Sequence, residues 1–144
     1  MGFLAGLFGS KPPQYPPLDP ASDVAARLAR HQASLDGLAA KVRDALEAVP
    51  GERTLYVFIG KPPDAFGIVW FNGSQEESLR SIMKSRGLPQ ARVQRISDDV
   101  REVYVRHQAA PRFAAAASGK PVKVTDSTAL CADLDRVIDE VEGG

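Results

Sequence analysis

Over residues 19–49 a series of mainly apolar positions recurs every three or four residues, with His31 and Ala45 filling its gaps, and this spacing places them on one face of an α-helix. Asp19 can cap the start of this helix with Pro20 in the first turn, and Pro50–Gly51 can end it. The same spacing is close to the heptad seam of paired helices. It predicts one long helix with a candidate self-association surface. The apolar positions of this seam are Val24, Leu28, Leu35, Leu38, Val42 and Val49.

Two segments rich in β-branched and aromatic residues follow, at residues 54–59 and 67–72. They predict two paired strands, because apolar runs of this length between turn residues are typical of strands. The proline-rich segment 60–66 joins them. Apolar side chains alternate onto both faces of this strand pair. Each face must therefore be covered, either by helices of this chain or by a partner.

Two further helices are predicted in the middle of the chain. Ser74 and Glu77 match the spacing of a capping box, and Gly87 is a suitable C-terminal stop for the helix that would begin there. Pro89 opens a third helix, of which residues 101–107 also have strand character. The sequence leaves helix and strand open for that second half.

The last part of the chain predicts a second hairpin and a final helix. Residues 112–117 and 122–125 would be its strands, and Asp126 or Ser127 would cap the helix. Short connections favour antiparallel pairing. Residues 19–144 therefore predict a single α+β domain, an antiparallel sheet of about four strands (two hairpins) packed with about four helices.

An apolar tip and a proline-rich spacer form an N-terminal tail, residues 1–18. Five prolines in residues 11–20 favour an extended polyproline II conformation. Four apolar residues of the tip share one side of a short helix, so the tip could dock in a groove of a partner, of a second copy or of its own domain. A disordered terminus is an equal alternative. These residues are Phe3, Leu4, Leu7 and Phe8.

Composition narrows the classes of function. The chain has 144 residues, 18 basic and 18 acidic, and this balance disfavours nucleic-acid binding, which depends on excess positive charge. The single cysteine excludes a disulfide within the chain. One cysteine and two histidines are too few to indicate a metal site, and no cofactor is predicted. Residues 1–9 are too short to span a bilayer, and no basic residue precedes Lys11, so peripheral membrane contact through them is not favoured. A cytoplasmic location is the default, and the Ala-, Arg- and Val-rich composition suggests a bacterial protein.

Few residues are candidates for chemistry. Cys131 lies near the start of the last helix, where a helix dipole can activate a thiol, but it also lies on the apolar face, which favours a buried structural role. His31 and His107 could each act as a general base, although a boundary residue with an apolar body and a solvated tip explains them as well. No catalytic residue is assigned.

The charge pattern is uneven. Residues 80–112 carry eight basic and three acidic side chains, whereas residues 126–144 carry one basic and six acidic ones. These two stretches could flank one another, or the basic one could contact an acidic partner. An anionic ligand could lie near the third helix and the 60–66 loop. The candidate ligand-binding residues are Lys61, Asp64, Arg95 and His107.

Two functions follow from these patterns. The first is a non-enzymatic protein-interaction module that self-associates, as a homodimer or larger homo-oligomer, and docks a partner through its tail. The alternative is a binding protein or enzyme for a small anionic molecule. Nucleic-acid binding through the third helix is a third, less favoured hypothesis.

Overall fold

The structure, a computed structural model, describes residues 15–143, with the side chains described up to residue 141. The four apolar residues of the predicted tip lie outside this range. Five helices and six strands make up the described part of the chain. They are α1 (Asp23–Ala29), α2 (Gln32–Lys41), β1 (Leu46–Pro50), β2 (Thr54–Lys61), β3 (Ala65–Asn72), β4 (Gln75–Ser78), α3 (Leu79–Arg86), α4 (Gln90–Arg106), β5 (Arg112–Ala117), β6 (Lys120–Thr125) and α5 (Thr128–Gly143).

The six strands form one mixed sheet in the order β4-β3-β2-β1-β6-β5. All neighbours are antiparallel except β1 and β6, which run parallel. The predicted α+β class is confirmed. The predicted antiparallel sheet of four strands is corrected in two respects, because the sheet has two more strands and one parallel pair.

Strand β1 was assigned to the first helix by the sequence pattern, and that prediction is wrong. The helical stretch is divided at Arg30–His31 into α1 and α2 and ends at Val42, whose backbone is extended. All five residues of β1 are buried, so the strand shows no alternation of apolar and polar positions. Such a short apolar segment fits a helical period as well as a strand, and only its pairing with β2 and β6 decides between them.

Strand β4 replaces the first turn of the predicted second helix. Residues Gly73 and Ser74 form a two-residue hairpin loop in which Gly73 has φ +65°, and β4 pairs back onto β3. The capping box lies four residues later than predicted, where the Ser78 hydroxyl accepts from the Ser81 amide and the Ser81 hydroxyl accepts from the Ser78 amide. The tight turn and the ladder to β3 therefore delay the start of the helix.

The remaining elements agree with the sequence pattern. Helix α4 is continuous to Arg106, so residues 101–106 are helical and His107 is the C-cap. Gly87 ends α3 in the left-handed conformation. The β5–β6 hairpin turns through Ser118 and Gly119, both at positive φ. The Ser127 hydroxyl accepts from the Leu130 amide at 2.9 Å and so caps α5.

Helices of the chain itself cover both faces of the sheet. Helices α1 and α2 pack on one face, where Val24, Leu28, Leu35 and Leu38 are buried against residues such as Leu55 and Val57. Helices α3, α4 and α5 pack on the other face, where Ile82, Val100 and Leu134 meet Tyr56, Phe58 and Trp70. The alternation predicted for β2 and β3 is thus confirmed. The seam of the predicted first helix is occupied by contacts within the chain.

Candidate functional site

The root of the predicted tail is hydrogen-bonded to the edge of the sheet. Strand β5 is an edge strand, and Pro17 forms a parallel bridge with its residue Ala114. The Ala114 amide donates to the Pro16 carbonyl at 2.8 Å, and the Leu18 amide donates to the Ala114 carbonyl at 2.9 Å. We call residues 15–18 the tail root. It covers part of an edge that would otherwise expose unpaired backbone groups.

Side chains also attach the tail root to the domain. Leu18 is partly buried against the core under α1 and α2. The Tyr15 ring lies 5.2 Å from Nζ of Lys123 on β6, within cation–π distance. The last four residues of the predicted tail therefore share contacts with the folded domain.

A buried carboxylate lies next to the tail root. Glu47, the second residue of β1, is 3% exposed. Its Oε1 accepts from the Tyr104 hydroxyl at 2.7 Å, and its Oε2 accepts from Nε of Arg112 at 3.2 Å and from the Thr125 hydroxyl. Nζ of Lys123 lies 3.7 Å from Oε1. A buried charge is tolerated when it is paired and hydrogen-bonded in this way.

The fold explains why these groups meet. Glu47 and Lys123 are register partners on the parallel strands β1 and β6, and Arg112 begins the neighbouring β5. Helix α4 places Tyr104 over them, and Cζ of Arg112 lies 5.5 Å from its ring. Burial, followed by the hydrogen bond to Glu47, raises the pKa of Tyr104 to about 12. Tyr104 therefore remains a hydrogen-bond donor at neutral pH.

Sequence reasoning did not find this polar cluster. One signal was present, since Glu47 is the only charged residue in the apolar stretch 45–49. Because residues 45–49 were predicted to be helical, Glu47 was expected to be exposed to solvent, as acidic residues on helices normally are. Its partners come from β5, β6 and α4, and nothing in their spacing along the chain connects them to β1.

The four predicted ligand-binding residues do not share a cavity in the described part of the chain. Lys61 borders an open cavity with Ile59 and Phe66. Asp64 is exposed, and its carbonyl accepts from Nη2 of Arg101 at 3.4 Å. Arg95 and His107 are placed elsewhere, along helix α4 and at its C-terminal end. Their role in binding an anion stays a prediction, and the positions of the four residues do not support it.

The basic α4 and the acidic α5 pack side by side. His107 Nε2 donates to Asp133 at 2.7 Å, and Nη1 of Arg136 donates to the same carboxylate at 2.7 Å. These two hydrogen bonds, the one from His107 being the stronger influence, lower the pKa of Asp133. Arg95 lies in a groove with Asp99 and Glu140. The two charged stretches thus flank one another, as the simpler interpretation of the sequence predicted.

The side chains of Cys131 and His31 are both buried in the folded domain. Burial raises the pKa of the Cys131 thiol to about 12, which outweighs the nearby Arg27, and the thiol lies 3.6 Å from the Val49 carbonyl. The predicted buried role of Cys131 is confirmed. His31 is 5% exposed with Nε2 3.2 Å from the Gly51 carbonyl. The prediction of a solvated tip is wrong for His31.

Residues 15–143 contain neither a cluster of metal-ligating side chains nor a membrane-spanning helix. No group of three or more His, Cys, Asp or Glu side chains within that range is arranged to hold a metal ion. None of the helices described there is long and apolar enough to cross a bilayer.

Comparison with known proteins identifies no relative of this chain. No protein-family model, no curated protein and no solved structure matches the chain significantly. The function is therefore argued from the geometry of this chain.

Proposed function

We propose that this chain is a non-enzymatic protein-interaction module that docks a partner through its N-terminal tail. The observation that carries this proposal is the attachment of the tail root to β5, through the two backbone hydrogen bonds of Ala114 with Pro16 and Leu18. An apolar tip joined to a folded domain by an anchored root is an arrangement suited to docking.

Anchoring the root lowers the cost of docking. Binding a flexible segment requires ordering its backbone, at about 1–2 kcal/mol per residue. Residues that already lie on the sheet contribute none of this cost, and the prolines of the spacer reduce it further. The apolar residues Phe3, Leu4, Leu7 and Phe8 have the spacing of a short helix that inserts one face in an apolar groove.

The first partner to test is a second copy of the chain. The seam residues of α1 and α2 pack in the chain's own core, and both faces of the sheet are covered. Self-association, if it occurs as the sequence predicts, must then use other surfaces. The tail is the strongest candidate.

Molar mass in solution, measured by light scattering over a range of concentrations, tests this proposal. The monomer has a mass of 15.5 kDa. We expect a larger mass for the full chain, and the monomer mass for a chain beginning at Tyr15 and for the full chain with Leu4→Asp and Leu7→Asp. A matched control, Ser10→Asp with Gln14→Asp, adds the same charge outside the apolar tip and should keep the larger mass.

Docking to a protein other than a second copy of the chain is tested by photo-cross-linking in the cells that express the chain. A photoreactive phenylalanine is placed at position 8 of the parent chain and of the Ser10→Asp, Gln14→Asp control. Each of these two proteins should form a discrete cross-linked adduct with a partner. The adduct should be lost with Leu4→Asp and Leu7→Asp. A monomeric full chain that also forms no such adduct would show that the tail does not dock.

A further inference from the structure

A cavity of about 310 Å³ lies between the tail root, α4 and the start of β5. The two basic residues on its wall come from β5 and β6, and the aromatic ones come from the tail root and α4. Among the described residues, no acidic side chain lines it. The lining residues are Tyr15, Tyr104, Gln108, Ala110, Arg112 and Lys123.

The cavity has surplus positive charge. Arg112 and Lys123 together carry two positive charges, and Glu47 behind them carries one negative charge. The two oxygens of Glu47 already accept three hydrogen bonds, from Tyr104, Arg112 and Thr125. Nζ of Lys123, at 3.7 Å, is beyond hydrogen-bond distance from this carboxylate. One positive charge is therefore not balanced within the cluster.

Within residues 15–141, two hydrogen-bond donors of the cavity have no acceptor. Nε of Arg112 donates to Glu47, and its Nη1 donates to the carbonyls of Gln108 and Ala110, both at 2.8 Å. Among the described residues, no acceptor lies within hydrogen-bond distance of its Nη2 or of Nζ of Lys123. The Lys123 side chain is one-third exposed to solvent.

The surroundings hold both cations in place. Glu47 fixes Arg112 from behind, and the rings of Tyr104 and Tyr15 lie 5.5 Å from Cζ of Arg112 and 5.2 Å from Nζ of Lys123. Aromatic rings attract cations through their electrostatic field and do not occupy the N–H groups with strong hydrogen bonds as a carboxylate would, so the donors stay available to a ligand. Cationic donors that are held in place before the ligand binds are typical of sites for carboxylate and phosphate groups.

We infer that this cavity binds a small oxyanion, the phosphate or carboxylate group of a ligand, between Arg112 and Lys123. The anion accepts from Nη2 of Arg112, Nζ of Lys123 and the side-chain amide of Gln108. This site is distinct from the predicted set around Lys61 and Arg95 and does not depend on docking by the tail.

Titration of the ¹⁵N-labelled full chain with inorganic phosphate at pH 7, followed by NMR at constant ionic strength, tests the site. The amide signals of Arg112 and Lys123 and the Nε–H signal of Arg112 should shift saturably, with a Kd on the order of 1 mM or tighter. A parallel titration with acetate distinguishes the two ligand classes. Binding of both anions indicates a carboxylate or phosphate site, and binding of phosphate alone indicates a phosphate site.

Lys123→Met keeps the apolar stem and removes the ammonium group. We expect it to weaken phosphate binding by about tenfold, as for the loss of one charge-assisted hydrogen bond. Lys84→Met, an exposed change on α3 near the opposite edge of the sheet, is the matched control and should leave binding unchanged. Gln108→Ala, also at an exposed position, should weaken binding several-fold and serves if Lys123→Met does not fold.

Two results would overturn the inference. One is a shift that rises linearly with phosphate, or that sodium chloride reproduces, since either would indicate screening alone. The other is equal affinity in the parent chain and in folded Lys123→Met. Neither result bears on the mass or cross-linking experiments, so this site and the docking function fail or stand separately.

Discussion

Cys131 shows how the environment of one residue decides between two chemical roles. Its position near the start of α5 would lower the pKa of an exposed thiol, because the helix dipole favours the thiolate. The side chain instead packs in the core below β1, and desolvation raises its pKa to about 12. At pH 8 the thiol is then almost fully protonated.

We therefore expect slow alkylation of Cys131 in the folded chain. With iodoacetamide at pH 8 the folded chain should react at least ~100-fold more slowly than the chain unfolded in urea at the same pH, because the thiolate is the reacting form. Mass spectrometry of the alkylated fraction over time measures both rates. Comparable rates in the folded and unfolded chains would contradict a buried, protonated thiol.

Glu47 shows the limit of sequence reasoning at this scale. Its identity is compatible with an exposed helical position, and its spacing to Arg112 and Thr125 carries no information. Burial becomes acceptable only because β6, β5 and α4 bring donors to both carboxylate oxygens. A residue's role in a buried polar cluster is therefore a property of the fold.

At the scale of elements, the tail root belongs with β5. A parallel bridge at Ala114 and the partial burial of Leu18 give residues 15–18 a share in the stability of the domain. The sequence pattern places the boundary of the tail after residue 18, because a proline-rich spacer leads up to Asp19, the predicted N-cap of the first helix. Backbone pairing with a distant strand leaves no signature in composition.

Two truncated chains test the contribution of the tail root. A chain beginning at Tyr15 should unfold in urea within ~0.5 kcal/mol of the full chain, since it keeps these contacts. A chain beginning at Asp19 should lose about 2 kcal/mol, from two backbone hydrogen bonds and the burial of Leu18.

Hydrogen exchange provides a second measure of the same contacts. The Ala114 amide should be protected in the chain beginning at Tyr15 and exchange faster in the chain beginning at Asp19. Equal stability and equal protection in the two truncated chains would show that the root contributes nothing to the fold.

At the scale of the whole molecule, a three-layer arrangement accounts for both apolar faces of the sheet. The spacing of Leu35 and its neighbours resembles a seam between chains, yet Leu35 is fully buried against the chain's own sheet. An apolar helix face has the same sequence pattern whether it packs on its own domain or on a partner.

A core substitution separates these two roles of the seam. Leu35→Ala should lower the free energy of unfolding by about 2–5 kcal/mol through lost burial and the cavity that remains, without changing the molar mass in solution. Val105→Ala, at an apolar position that is 46% exposed, is the control and should change stability by less than ~0.5 kcal/mol. Unchanged stability with a lower molar mass would instead identify the seam as an interface between chains.

The sequence by itself determined the α+β class, strands β2 and β3 with their alternating faces, the first half of helix α4, the β5–β6 hairpin and a final helix capped at Asp126 or Ser127. Those features depend on local signals, namely periodicity, turn residues and caps, which act within a few residues. The tertiary structure alone decided that β1 and β4 are strands, that β1 lies parallel to β6, and that the tail root pairs with β5. It also decided that Glu47 meets Arg112 and Lys123. Each of these features depends on hydrogen bonds or ion pairs between segments that are far apart in the chain. Such interactions form, and contribute to stability, only when folding brings the segments together.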